Sequence, residues 1–175
     1  MKGADAVTDS RIVYRPELPD DTIAITDLIA TAFGRPAEAQ LVSRLRAAQA
    51  LTVSVVAEAA GQLVAHAALS PVEIDGRAGA GRWLGLAPVA VLPGWQRRGI
   101  GTALVQAACA CATPAIFVLG DPRWYGRLGF EEAAPLGWAS VYDVPAAAFR
   151  VRRPGAGAEL PPPGTVRYHP EFDAL

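Results

Sequence analysis

The stretch Gln96-Arg97-Arg98-Gly99-Ile100-Gly101-Thr102-Ala103-Leu104 decides how this 175-residue chain is read. It follows an apolar, strand-like run, Leu86 to Leu92, and opens an amphipathic helix. Glycines at the head of a helix let the backbone approach a ligand with no side chain in the way. The helix N-terminus adds unpaired N–H donors and the positive end of its dipole. Arg97 and Arg98 bring charge to the same place. This is the chemistry of a phosphate-binding turn. It is not a dinucleotide fingerprint, because Leu104 stands where a third glycine is needed, and no Walker lysine follows.

Beyond the turn, Ile100, Ala103, Leu104, Ala107, Ala108 and Cys111 make one apolar stripe, which Pro114 terminates. Ala115 to Leu119 is wholly apolar, as a buried parallel strand is. Asp121-Pro122 starts a turn, with Asp121 as the cap of a short helix, Arg123 to Leu128. Gly129 stops that helix and Phe130 begins a strand. Upstream, Arg11 to Arg15 reads as a short strand. Asp20 to Thr22 then cap a helix carrying Ile25, Leu28, Ile29, Ala32 and Phe33 at helical spacing, and a second helix runs from Pro36 to Ala48. Strands follow over Leu51 to Ala59, Gln62 to Ile74 (bent near Pro71) and Arg82 to Leu92, with turns at Ala60-Gly61 and Asp75-Gly76. Pro88 inside the third strand demands a bulge or an unpaired edge. Further strands are expected near Phe149 to Arg152 and Thr165 to Tyr168, joined by the extended connector Pro161-Pro162-Pro163. The order predicts one α/β (α+β) domain over residues 11–175 behind a disordered leader, residues 1–10. Its sheet is mixed, with helices on both faces.

Composition sets the outer bounds. Apolar residues make up 51% and charged residues 19% of the chain, which excludes a disordered polymer. A net charge of −1 supplies no field for nucleic acid or an anionic membrane. No apolar run reaches the ~20 residues of a membrane span, and the start has no signal-peptide core, so the chain reads as soluble and cytoplasmic. Cys109 and Cys111 lie two apart in a helix, which suits neither a disulfide nor a metal site, so no metal is expected. Trp83, Trp95, Trp124 and Trp138 read as packing residues, with Trp124 also a candidate for an acceptor pocket.

Two motifs carry a family resemblance. Gln96 to Gly101 resembles the acyl-CoA pyrophosphate loop of the GCN5-related N-acetyltransferases (GNAT), Gln/Arg-x-x-Gly-x-Gly/Ala between a strand and a helix. Tyr125-Gly126-Arg127-Leu128-Gly129-Phe130 matches the family's later aromatic-x-x-x-Gly-Phe signature. His66, Ser70-Pro71, Leu86 to Val91 and Val118 to Arg127 further resemble the bacterial YhbS-type predicted acetyltransferases, and the likeness runs from about Ile12 to Tyr168.

The resemblance implies a three-layer α/β/α fold whose mostly antiparallel sheet splays open at an acetyl-CoA cleft. Backbone groups of Val89, Ala90 and Val91 would bind the pantetheine arm and polarise the thioester carbonyl. Gln96, Arg97, Arg98, Gly99, Ile100, Gly101 and Thr102 would hold the pyrophosphate. Tyr125 stands where the family places the acid that protonates the leaving thiolate. Many relatives carry a glutamate base on the strand before the loop, but Arg82 to Val91 contains no acid. The base is therefore His66, Glu73 or a water relay. The expected activity is N-acetyl transfer to an unidentified amine, by direct attack in a ternary complex. The alternative is a non-catalytic acyl-CoA sensor with the same fold. The proline-rich C-terminal part is a candidate surface for a homodimer.

Overall fold

Two tight hairpins and one bulge set the geometry of the sheet. The computed structural model describes residues 11–79, 83–112, 114–155 and 159–175. The expected leader and the start of the third strand lie outside the described residues. Strand β1 (Ile12–Pro16) leads through a turn of 3-10 helix into α1 (Thr22–Phe33) and α2 (Ala37–Ala47). Strands β2 (Val53–Ala59) and β3 (Gln62–Ile74) follow, then β4 (Arg77–Ala78) and β5 (Trp83–Val91). Ala60-Gly61 and Asp75-Gly76 have positive φ at both residues, 50° and 80°, then 49° and 73°. That is the twist of primed hairpin turns, and it folds β2, β3 and β4 back on one another. Next come α3 (Ile100–Ala110), β6 (Ala115–Leu119) and α4 (Pro122–Arg127). The chain ends with β7 (Glu131–Glu132), β8 (Trp138–Ser140), β9 (Phe149–Arg152) and β10 (Gly164–Tyr168).

The main sheet runs β1-β2-β3-β5-β6-β9-β7, and β10 pairs with both β3 and β8. All pairs are antiparallel except β5 with β6 and β10 with β8. The strand expected to begin at Phe130 is only the two-residue β7, because the Phe130 ring turns back into the core.

Pro88 produces the bulge anticipated from its missing N–H. Ala67 pairs with Val89 while Leu69 pairs with Leu86, so Ala87 and Pro88 of β5 stand opposite the single residue Ala68 of β3, one residue in excess. The bulge shifts the side-chain alternation, and Leu84, Leu86, Val89 and Val91 all pack on the α3 side. It also parts β5 from β6. Their pairing stops at Gly85 with Phe117, leaving Leu86 onward facing no partner on β6.

Three layers result. Val55, Ala57, Ala65, Ala67 and Leu69 bury one face of the sheet against Ile100, Leu104, Val105 and Ala108 of α3. Val56 and Ala90 meet Ile25, Leu28 and Ile29 of α1 on the other face. Val72 and Ile74 continue that face against Leu41 and Leu45 of α2 and the C-terminal strands. The buried arc of α3 is wider than the anticipated stripe. It includes Val105 and Cys109, while Cys111 is the exposed C-cap residue.

Candidate active site

Residues 92–99 connect β5 to α3 and bring the helix N-terminus back beside Val89 and Val91, past the point where β5 and β6 part. Gly99 is the N-cap residue with φ 79°, a left-handed conformation that an L side chain resists. Arg97 also has positive φ, 60°. The first intrahelical bond runs from the Ala103 amide to the Gly99 carbonyl at 3.0 Å, so the amides of Gly101 and Thr102 precede it and have no helical acceptor. Gln96 fastens the turn to the sheet, its Nε2 donating to the Val91 carbonyl at 3.0 Å.

These residues line a cavity of about 510 Å³, together with Val89, Val91, Trp124, Tyr125 and Arg127. Arg97 and Arg127 supply its positive charge. Arg98 points elsewhere, with its guanidinium 5.2 Å from the Trp95 ring centre. The side chains of Ile100 and Ala90 are buried in the core, so backbone groups are what they have to offer a ligand. Trp124 stands against Gly101 in this cavity, and Arg127, an unspecified position inside the Tyr125 motif, adds a cation that the motif alone does not announce.

Tyr125 is held by its own motif. Asp121 caps α4 as expected, accepting from the amides of Arg123 at 2.7 Å and Trp124 at 3.2 Å. The chain then turns at Gly129, and the Phe130 amide donates to the Tyr125 carbonyl at 3.1 Å. The Phe130 ring packs edge-on to Tyr125 at 5.5 Å, and Trp124 does the same at 4.6 Å. A Cβ on Gly120 would overlap the Tyr125 ring. Arg150 locks the corner by donating twice to the Phe130 carbonyl. The ring is 6% exposed, and burial, then the nearby Cys109, push its phenol well above the ordinary value. Its hydroxyl has no hydrogen-bond partner among the described residues.

The two side chains considered as bases line none of the described cavities. His66 is fully buried. Its Nε2 lies 2.9 Å from Ser54 Oγ, which donates to Glu17, itself paired with Arg46 at 2.9 Å. Because the serine proton goes to Glu17, His66 must donate from Nε2, and its Nδ1 is a bare acceptor with no partner. Burial pushes its pKa down to about 4. Glu73 lies at the far end of β3, in register with Ala78 and Arg167. Among the described residues no cluster of His, Cys, Asp and Glu could hold a metal ion, and no helix is long and apolar enough to cross a membrane.

Comparison with known proteins agrees with this architecture. Residues 51–132 match the acetyltransferase (GNAT) domain model. The chain is 34% identical over 167 residues to the uncharacterized N-acetyltransferase YhbS of Escherichia coli K12, an alignment spanning 93% of this chain and 99% of that one. The crystal structure of E. coli YhbS in complex with CoA superposes with a TM-score of 0.83 at 32% identity, covering 95% of this chain and 94% of that one. A GNAT family acetyltransferase from Brucella melitensis, in complex with acetyl-CoA, gives a TM-score of 0.74 at 34% identity, covering 94% of this chain and 99% of that one. With the splayed β5–β6 junction, the turn at the head of α3 and a relative of this identity over nearly its whole length, the chain belongs to the GNAT acetyltransferase family.

Proposed function

We propose that this protein is an acetyl-CoA-dependent N-acetyltransferase that transfers the acetyl group to a primary amine by direct attack in a ternary complex. One observation carries the reading. The unpartnered phenol of Tyr125 lines the same cavity as the free amides at the head of α3, beside strands that have parted. A pyrophosphate on those amides and on Arg97 and Arg127 would send the rest of an acyl-CoA toward the gap. The relatives named above, solved with CoA and with acetyl-CoA, support that choice of ligand.

The residues then divide the work. Backbone donors of Val89 to Val91 orient the thioester carbonyl, where a fixed donor lowers the barrier to the tetrahedral oxyanion. The amine lone pair forms the C–N bond, the C–S bond breaks, and Tyr125 gives its proton to the departing thiolate. Burial raises the phenol's pKa, but it raises that of a thiolate in the same dry site too, so the transfer remains feasible. No carboxylate lines the cavity and His66 is sealed away. The proton released by the amine therefore leaves through water.

Calorimetric or thermal-shift titration with acetyl-CoA, CoA and NAD tests the reading. At a hundred times Kd the ligand adds ~2.7 kcal/mol, a rise in Tm of roughly 5 to 10 °C. Stabilisation by the CoA species and not by NAD is expected. No response to acetyl-CoA would remove the enzyme reading, and tight binding with no turnover of any amine would favour the sensor.

A further inference from the structure

We propose that the acceptor is an arylalkylamine, a primary amine on an aromatic and otherwise uncharged body, seated in a second cavity on the opposite side of the sheet. The proposal rests on the acetyl-transfer reading above. This cavity has a volume of about 380 Å³, within the range of small-molecule sites. Leu86 and Ala87 line it directly after Gly85, the last β5 residue paired with β6, and Leu119 lines it from the end of β6. Ala87 packs with the cluster of Tyr168 and Phe172, whereas Val89 and Val91 pack with α3. The two cavities therefore reach the β5–β6 gap from opposite faces. One tyrosine lines each cavity: Tyr168 donates to the Phe117 carbonyl at 3.1 Å, and the Tyr125 ring lies against Gly120, directly after the end of β6.

The lining selects the ligand. Tyr142, Tyr168 and Phe172 form an aromatic wall, with ring centres 6.1 and 5.0 Å apart in sequence, and no charged side chain contributes. A flat ring packs well against such a wall. A carboxylate or a second ammonium would meet no charged side chain in this lining. The same apolar lining favours the uncharged nucleophile. Desolvation lowers the pKa of an amine, so the acceptor reaches the gap as the free base. A strand glutamate is then unnecessary, in keeping with a β5 that carries no acid and a His66 that is walled off.

The test measures CoA thiol release by the full-length protein with acetyl-CoA and four amines: 2-phenylethylamine, tyramine, phenylalanine and spermidine. Both arylalkylamines should exceed phenylalanine and spermidine in kcat/KM by about tenfold or more. Val144→Asp, which places a carboxylate in the same wall, should cut arylalkylamine turnover about tenfold and leave acetyl-CoA affinity unchanged. Equal or better rates with spermidine or phenylalanine, or full activity in Val144→Asp, would overturn the proposal. Arylalkylamines left untouched by a protein that binds acetyl-CoA would overturn this proposal alone, while failure to bind acetyl-CoA would overturn the transferase reading beneath it.

Discussion

Tyr125 shows how a short motif can encode a side chain's setting. Its helix cap, the amide that returns to its carbonyl and its two ring partners all come from residues 121–130, with Gly120, Cys109 and Arg150 completing the setting. The motif was legible for that reason: the local turn at Gly129 returns Phe130 to the ring it supports. Removing the hydroxyl while keeping the ring isolates the acid. Tyr125→Phe should lower kcat by about 100-fold or more with acetyl-CoA affinity within a fewfold of wild type, measured by thiol release and calorimetry side by side. An unchanged kcat would take Tyr125 out of the mechanism. Arg127 tests binding instead. A charge-assisted contact to phosphate contributes about 1.5 to 3 kcal/mol, so Arg127→Ala should weaken acetyl-CoA by about tenfold or more with little effect on kcat at saturation. Arg98 was an equal candidate in the sequence, where neighbouring arginines cannot be told apart. Its guanidinium stacks on Trp95 rather than lining the cavity.

At the scale of elements, the opening between β5 and β6 has two causes, and only one could be read in advance. Pro88 was legible because a missing N–H has one consequence inside a strand. The other cause is Tyr168, which comes from β10, 83 positions beyond Gly85. Its ring covers Gly85, where a Cβ would collide with it, and its hydroxyl donates to the Phe117 carbonyl at 3.1 Å. Phe117 is the last β6 residue paired with β5. Tyr168 thus satisfies a backbone acceptor at the point where the strands part and stops the gap from zipping further or fraying back. No linear pattern announces such a contact, and the second cavity, assembled from β5, β6 and the C-terminal segment, was invisible for the same reason. Gly85→Ala should displace the Tyr168 ring and cost about 1 to 3 kcal/mol by overpacking, read from urea unfolding. Acceptor turnover should fall more than acetyl-CoA binding, because the displaced ring belongs to the wall opposite α3.

For the whole molecule, the notable cost is a histidine kept neutral in the middle of the domain. The sequence left His66 divided between catalytic base and core residue, since an apolar strand context is compatible with either. Tertiary burial decides its surroundings: β2 supplies Ser54, the segment after β1 supplies Glu17 and α2 supplies Arg46, so three parts of the chain converge on an imidazole carried by β3. With the folded pKa near 4 and an unfolded value near 6.5, the unfolded chain binds more protons between those limits. Folding stability should therefore be flat above about pH 6.5 and fall as the pH drops from there toward 4. Each pH unit well inside that window removes about 1.4 kcal/mol, or about 2 kcal/mol in going from pH 7 to pH 5. Asp21 does not confuse the window. Arg15 holds its carboxyl below the ordinary 3.8, so its contribution is lost only at still lower pH. Urea unfolding at pH 7, 6 and 5 measures the slope, and His66→Gln supplies the control. That variant should be less stable at pH 7 yet lose about 2 kcal/mol less on acidification than the wild type. Parallel pH dependence in the two proteins would mean that His66 titrates normally in the folded state, and the buried relay of Glu17, Ser54 and His66 would have to open to water.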